Sequence, residues 1–444
     1  MKNRNGRVTF FALLSVALLL FGENVLAANH YILAGGAGDG SSWGSPLGTL
    51  PDSLIRGDIY YIGDGTYGAK TFSTPEEGAK LIIIKKATLA DHGTDEGWIS
   101  SYGDGVASFT GTLTFKTSYW EFDGGLKYGF KLIRTRSGYV DEHYMNVYGN
   151  NIKVANVEIM GPGWKDCHLA RGIQSTGDNL VFDACYIHNF SAVGIRFSGG
   201  ANIEIKNCHF HNIRNLDNSV CYNLRGSQCH FEDIALFDGT ENVSIHDNVF
   251  SQDYTSRPQN VEVGYGVMMA LHGGYLRIYN NIFFNLTYPI WLNSDGWGNL
   301  TDFYVYGNTF VGYRVATTTN GLDDLKNNIF CNLPSFFNND STRKAPTVGS
   351  YNLYCYDSRY VSDYKSASHS TVLEQGICPF KDCVKDWRLV SPTDPGYALP
   401  EPYNKDIVGV TRGTDGNWDR GAYEYKSSAS APTSPNNLTI IPGG

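Results

Sequence analysis

The chain has 444 residues, with 50 Gly, 29 Tyr, 23 Phe, only 18% charged residues and a formal net charge of −9. That acidity argues against nucleic acid as the main partner, although a local basic groove for an acidic sugar stays open. A chain of this length would ordinarily divide into two or three domains, whereas a solenoid grows its core along one axis and need not.

Residues 1–27 read as a signal peptide. Lys2, Arg4 and Arg7 precede an apolar run from Val8 to Phe21, and Val25, Leu26 and Ala27 form a small-residue cleavage site before Ala28. The competing reading is an uncleaved anchor, but the run is short for a membrane span. No other stretch could cross a bilayer, so the mature chain is expected to have no membrane span. The protein is expected to be secreted or on the cell surface, extracellular or periplasmic. Loss of the leader, with three basic residues and Glu23, takes the charge from −9 to −11. Nine Cys in an exported chain make disulfides reasonable. Cys221 with Cys229, and Cys378 with Cys383, are close enough to staple loops. No CxxC pair or His cluster has structural-zinc spacing.

Residues 28–111 form an N-terminal cap and first coils, and residues 112–340 the main solenoid. Six segments there share one pattern: NLVFDACYIHNF, NIEIKNCHFHNI, NVSIHDNVFSQ, YLRIYNNIFFNL, DFYVYGNTFVGY and DDLKNNIFCNL. An earlier one, NIKVANVEIMG, fits less well. Aligned on Val157, Cys185, Cys208, Asn248, Asn281, Asn308 and Asn328, they step by 28, 23, 40, 33, 27 and 20 residues. Such self-similarity marks a repeat architecture.

Each unit alternates with period two, bends at a polar turn and continues in a second short strand. In NIEIKNCHF, Ile203 and Ile205 point one way, Glu204 and Lys206 the other, and Phe210 points inward after the turn. A third strand follows in GIQS, GIRF, DIALF, GVMMA and PIWL. Three strands per coil, stacked coil on coil, predict an all-β, single-stranded right-handed parallel β-helix of about nine to twelve coils. Asn at the turn tolerates a left-handed backbone, and stacked amides can bond along the axis. Asn248, Asn281, Asn308 and Asn328 are therefore read as structural. Cys185 and Cys208 occupy the same position as stacked thiols or a bond. His188 and His211 also repeat, as ladder residues.

The third strand and the loop before it build an exposed face. If Ile173, Ile195, Leu236, Met269 and Ile290 point in, then Gln174, Arg196, Phe237, Met268 and Trp291 point out. Arg171, Asp238, His272, Asn293, Asp295 and Trp297 lie at the strand ends. Lys165, His168, Arg214, Asp253, Arg257 and Glu262 lie on neighbouring turns. The longest steps mark loops that wall a groove. Guanidinium, imidazole, carboxylate and indole groups together suit a sugar chain, since aromatic faces stack on pyranose rings and Arg grips carboxylates bidentately. The same residues also read as solvated charges and turn residues. Residues 341–425 form C-terminal coils and a closing segment. The Ser-, Pro- and Asn-rich residues 426–444 read as a flexible tail or linker.

NIEIKNCHFHN and NVSIHDNVFSQ resemble the repeats of the pectate-lyase-like superfamily and of bacterial right-handed parallel β-helix repeat proteins. GDIYYIGDGTYG resembles their opening strand, and DWRLVSPTDPGYALP with GNWDRGAYEY their closing segment. That fold serves lyases, hydrolases, epimerases, adhesins and tail spikes. The resemblance implies a polysaccharide partner and, as one activity, β-elimination on an acidic glycan. Lyases of this kind neutralise a uronate carboxylate with Ca²⁺ or Arg and remove the adjacent proton with Lys or Arg. Arg196 is then the first catalytic candidate, with His272 and Lys165 behind it. Trp291, Trp297, Arg171, Gln174 and Asn293 are expected to bind substrate, and Asp238 and Glu262 to hold Ca²⁺. The motifs of polygalacturonase-like hydrolases, alginate epimerases and calcium-dependent lyases are absent. So are a nucleotide loop, a Ser-His-Asp arrangement by motif and a zinc signature. A non-catalytic glycan-binding, adhesin or matrix protein is the alternative.

Overall fold

The computed structural model describes residues 27–125, 128–134, 142–163, 170–214, 231–237, 239–253, 264–269, 273–292, 300–311, 315–317, 324–331, 335–337, 351–355, 380–382 and 386–426. The chain is a right-handed parallel β-helix with three strands per coil. Its three parallel sheets, here A, B and C, contain 11, 11 and 10 strands. One coil runs through Ala201–Lys206 in sheet A, His209–His211 in B and Glu232–Phe237 in C before returning to A at Glu241–His246. Each strand pairs in parallel with its equivalents in the coils before and after, as Glu204 does with Val181 and Ser244. Backbone groups are thereby satisfied along the axis, and no strand needs a partner from its own coil.

Alternation fills the bore. Ile203, Ile205, Phe210, Ile234 and Leu236 are buried within one continuous core that runs from Ile32 to Phe330. Identical residues stack where the repeat brings them together. Phe210, Phe250, Phe283, Phe310 and Phe330 form a column with ring centroids 4.9, 4.7, 4.9 and 4.9 Å apart. Among the described residues no helix is long and apolar enough to cross a membrane.

The turn between A and B divides the labour differently from the sequence reading. The left-handed residue is the one before the aligned position: Ala184, Asn207, Asp247, Asn280 and Asn327 have φ between 51° and 58°, and Gly307 has 61°. The aligned Asn residues turn inward instead and are fully buried. Asn248 Nδ2 donates to Asn281 Oδ1 at 3.0 Å, Asn281 to Asn308 at 3.0 Å and Asn308 to Asn328 at 3.1 Å. Asn328 continues the column to Asn352 at 3.0 Å, a member outside the aligned segments. Cys185 and Cys208 complete it as buried free thiols. The Cys185 N–H meets Cys208 Sγ at 3.4 Å, and the Cys208 N–H donates to Asn248 Oδ1 at 2.8 Å. Cys221, Cys229, Cys378 and Cys383 lie outside the described residues.

The closing residues dock on these late coils. Ala422 N–H donates to Thr309 Oγ1 at 2.9 Å, and the buried Arg412 donates to Asn280 Oδ1 at 3.1 Å and to the Gly421 carbonyl at 2.8 Å.

Candidate functional site

Sheet C carries one straight outward row. Parallel register aligns Thr71, Thr114, Asn146, Gln174, Arg196, Ala235, Met268 and Trp291. Their inward neighbours are buried: Ile173, Ile195, Ile234, Val267 and Ile290 have no exposure. Arg196 and Trp291 thus share a row three steps apart, roughly 14 Å at the inter-strand spacing. Gln174 sits beside Arg196 as expected. Phe237, expected in the same row, lies two residues further along opposite Ser198, and Ala235 takes its place. The offset arises because Ile234 and Leu236 both face inward, so alternation alone does not say which of them is level with Ile195.

The row is only partly open. Arg196 and Trp291 are half-buried, whereas Ala235 and Met268 are buried. The Arg196 guanidinium lies 5.1 Å from the Phe237 ring centroid, and its Nε is buried without a hydrogen-bond partner. A contact of this kind engages the cation through the ring face and does not use its N–H donors. Gln174 Nε2 donates to Ser198 Oγ at 3.1 Å. Trp291 meets Tyr288 and Tyr265 edge-on, at 4.7 and 5.7 Å.

Two coils earlier, a polar chain leads into the same row. Arg171 Nη1 lies 2.9 Å from His143 Nε2, and His143 Nδ1 lies 2.9 Å from Asn146 Oδ1. Arginine only donates, so Nε2 accepts and the ring proton sits on Nδ1, donating to Asn146. Asn146 Nδ2 then donates to Thr114 Oγ1 at 3.3 Å. Arg134, ion-paired with Glu142, covers the Tyr144 ring at 5.5 Å. Burial pushes the Tyr144 hydroxyl up to about 12, with Arg134 opposing and Glu142 adding to the shift. His143, Asn146 and Arg134 were not singled out from sequence, because the strand His143–Val147, and Arg134 just after the strand Phe130–Ile133, precede the first well-matched repeat.

Beneath the row lies an unusual acid. Glycines recur where sheet C begins: a Cβ on Gly194 would sit 2.5 Å from the Asp233 carbonyl, and one on Gly266 would collide with that of Pro289. In the intervening coil that level is occupied by Asp233, which is fully buried with both carboxylate oxygens unpartnered. Burial, reinforced by the charge of Glu232, pushes its carboxyl well above the usual range.

The remaining expected site residues, Lys165, Asp238, Glu262, His272, Asn293 and Trp297, lie outside the described residues, as do His168, Arg257 and Asp295. Among the described residues no group of three or more His, Cys, Asp or Glu side chains is placed to hold a metal ion.

A family model described as a right handed beta helix region matches residues 145–310. Among solved structures, the chain is similar to pectate lyase Pel9A at 16% identity and a TM-score of 0.55, with 90% of this chain and 97% of that one covered. A rhamnogalacturonan lyase aligns at 15% identity and a TM-score of 0.39, covering 91% and 97%. No curated protein matches the sequence. Repeat, sheet register and structural likeness agree: the chain has the right-handed parallel β-helix fold of the pectate-lyase-like kind.

Proposed function

We propose that this chain is an exported protein acting on an extracellular polysaccharide, and that it cleaves an acidic glycan by β-elimination. The observation that carries the reading is the outward row of sheet C, with a half-buried Arg196 whose Nε has no partner and Trp291 further along the same line. Arg196 pairs with a uronate carboxylate and makes the adjacent C–H more acidic. In this reading Lys165 or His272 takes that proton. The freed electron pair forms a carbon–carbon double bond as the glycosidic oxygen leaves and is protonated. Trp291 and Trp297 stack on sugar rings, while Arg171, Gln174 and Asn293 orient their hydroxyls and carboxylates. In this reading a Ca²⁺ ion belongs to Asp238 and Glu262, where it would share the neutralising role of Arg196.

A second reading, a glycan-binding surface or matrix protein without turnover, draws support from the burial of Ala235 and Met268. Their cover shortens the open row and leaves the aromatic group around Trp291 as a separate platform. A panel of acidic and neutral polysaccharides, with unsaturated product followed by ultraviolet absorbance, separates the two. Under the first reading Arg196→Ala lowers turnover by about 100- to 1000-fold, with the unfolding midpoint unchanged and binding less affected. Binding without product, lost on Trp291→Ala, supports the second reading and overturns the first. Neither product nor binding on any glycan removes both.

A further inference from the structure

Sheet B carries a second chemical cluster on its outer face. Ser251 ends the strand Val249–Ser251 and stands level with His211 of the preceding coil. Ser251 Oγ lies 2.9 Å from His211 Nδ1 and 2.8 Å from His209 Nε2. His211 Nε2 lies 3.1 Å from Asp253 Oδ2. The Asp253 backbone is held on both sides: its N–H donates to Asn212 Oδ1 at 3.0 Å, and its carbonyl accepts from Arg214 Nη1 at 2.7 Å. Asn212 Nδ2 lies 2.8 Å from His211 Nε2 and 3.2 Å from Asp253 Oδ2. The rings are packed in place, with Tyr186 stacked on His188 at 4.1 Å and on His209 at 5.1 Å.

The hydrogen bond from His211 holds the Asp253 carboxyl down to about 2 against the effect of burial, so it is a carboxylate and can only accept. Two groups compete for His211 Nε2: the Asn212 amide, held as a donor by the Asp253 N–H on its Oδ1, at 2.8 Å, and the Asp253 carboxylate at 3.1 Å; with the ring proton on Nε2 toward the carboxylate, His211 presents a base to Ser251. His211 Nδ1 is then the free base facing Ser251, and it receives the hydroxyl hydrogen. Burial, with His211 and His188 nearby, pulls His209 down to about 3 and keeps it neutral. Its Nε2–H donates to the remaining lone pair of Oγ and holds that oxygen in place.

We propose that Ser251 is a nucleophile, activated by His211 and positioned through Asp253, that takes the acyl group of a small, activated ester. The bond from Oγ to the acyl carbon forms as the hydroxyl proton passes to His211 Nδ1. The ester oxygen then departs with that proton as an alcohol. Water attacks the acyl-serine in the second half, giving a proton through His211 back to Ser251 as the carboxylic acid leaves. The acyl group must be small because Ser251 is only 6% exposed, although the Asp253 side chain beside it is 63% exposed. The leaving group must be good because nearby backbone donors are committed. The N–H groups of Asn212, Gln252 and Asp253 bind the Ser251 carbonyl, the Phe284 carbonyl and Asn212 Oδ1. No amide among these three is left to stabilise an oxyanion.

The test is a mixing experiment with the full chain and para-nitrophenyl acetate, followed by peptide mass analysis. A burst of about one nitrophenolate per chain is expected, with acetyl on the peptide carrying Ser251. Ser251→Ala loses the burst, and should that variant not fold, Ser251→Cys restores a nucleophile of the same shape and is acylated instead. Asp253→Asn slows the burst by at least about a hundredfold and displaces its pH midpoint, which a purely structural loss would not do. Unacetylated Ser251 in the folded protein, an acetyl on an imidazole alone, or equal release by Ser251→Ala overturns the proposal. The assay contains no polysaccharide, so it succeeds or fails separately from the lyase reading.

Discussion

The corner between sheets A and B and the shoulder between sheets B and C belong to the same coils and behave in opposite ways. At the corner only one or two residues separate the strands from Val157 through Ile329, as between Lys206 and His209 or Tyr279 and Ile282. At the shoulder the separation runs from three residues, between Phe284 and Tyr288, to 20, between His211 and Glu232. A turn of near-constant length repeats one geometry, so the same side chain, Asn, answers it from Asn248 onward. The result is a buried amide column in which Oδ1 of Asn281, Asn308, Asn328 and Asn352 each takes the N–H and the Nδ2 of the Asn before it. A shoulder of changing length repeats nothing, and it is beside the shoulder that Arg171, His143, Ser251, Asp253 and the outward row of sheet C gather. Regularity supplies the scaffold, and its interruption supplies the chemistry.

The sharpest way to break this comparison is to break the column. Asn281→Leu strands the Asn248 N–H and the Ile245 and Tyr279 carbonyls that Asn281 now binds. Each buried group left unpaired costs about 1–3 kcal/mol, so a loss of roughly 3 kcal/mol or more in denaturant unfolding is expected. Melting unchanged from the parent chain would mean that the column contributes no stability.

Asp233 tests the shoulder side. Its raised folded-state pKa means that the native chain holds a proton the unfolded chain releases. The native advantage is therefore complete below the ordinary carboxyl pKa and is lost as pH rises above it. Asp233→Asn removes that slope, and the midpoint of the variant relative to the parent is expected to rise between pH 4 and pH 7. A parallel pH dependence in both proteins would show that Asp233 ionises freely in the fold.

The smallest effect comes from extending the column. Cys208 Sγ lies 3.6 Å from the Phe182 carbonyl and 3.1 Å from that of Lys206, the places where an amide in this row would donate. Cys208→Asn is expected to stabilise by about 1 kcal/mol through hydrogen bonds stronger than a thiol makes. A destabilised variant would show that the bore at Cys185 and Cys208 is too narrow for amides, and that the thiols are there for volume.

The strands and their inward faces were legible because period-two alternation needs only neighbours in sequence: Ile203, Ile205, Phe210 and Ile290 all fill the bore as read. The column was legible as a repeated Asn, but its atoms were not. Sequence assigned the left-handed backbone to Asn248, whereas Asp247 adopts it and frees the next side chain to turn inward. Asn352 escaped because its segment carries too little of the repeat around it. Phe237 was set in the row of Arg196 because a shoulder of 20 residues gives no way to count register across it.

By itself the sequence determined the solenoid, the inward faces and the presence of Arg196 and Trp291 on one outward side, since each follows from local alternation and a repeated turn. Only the tertiary structure decided that Ala235 stands beside Arg196, that Arg171 leans on His143, and that Ser251 and Asp253 meet His211 from 40 and 42 residues away. The physical reason is that stacking sets neighbours by the length of a whole coil, and that length varies through the shoulder, where no periodic signal survives.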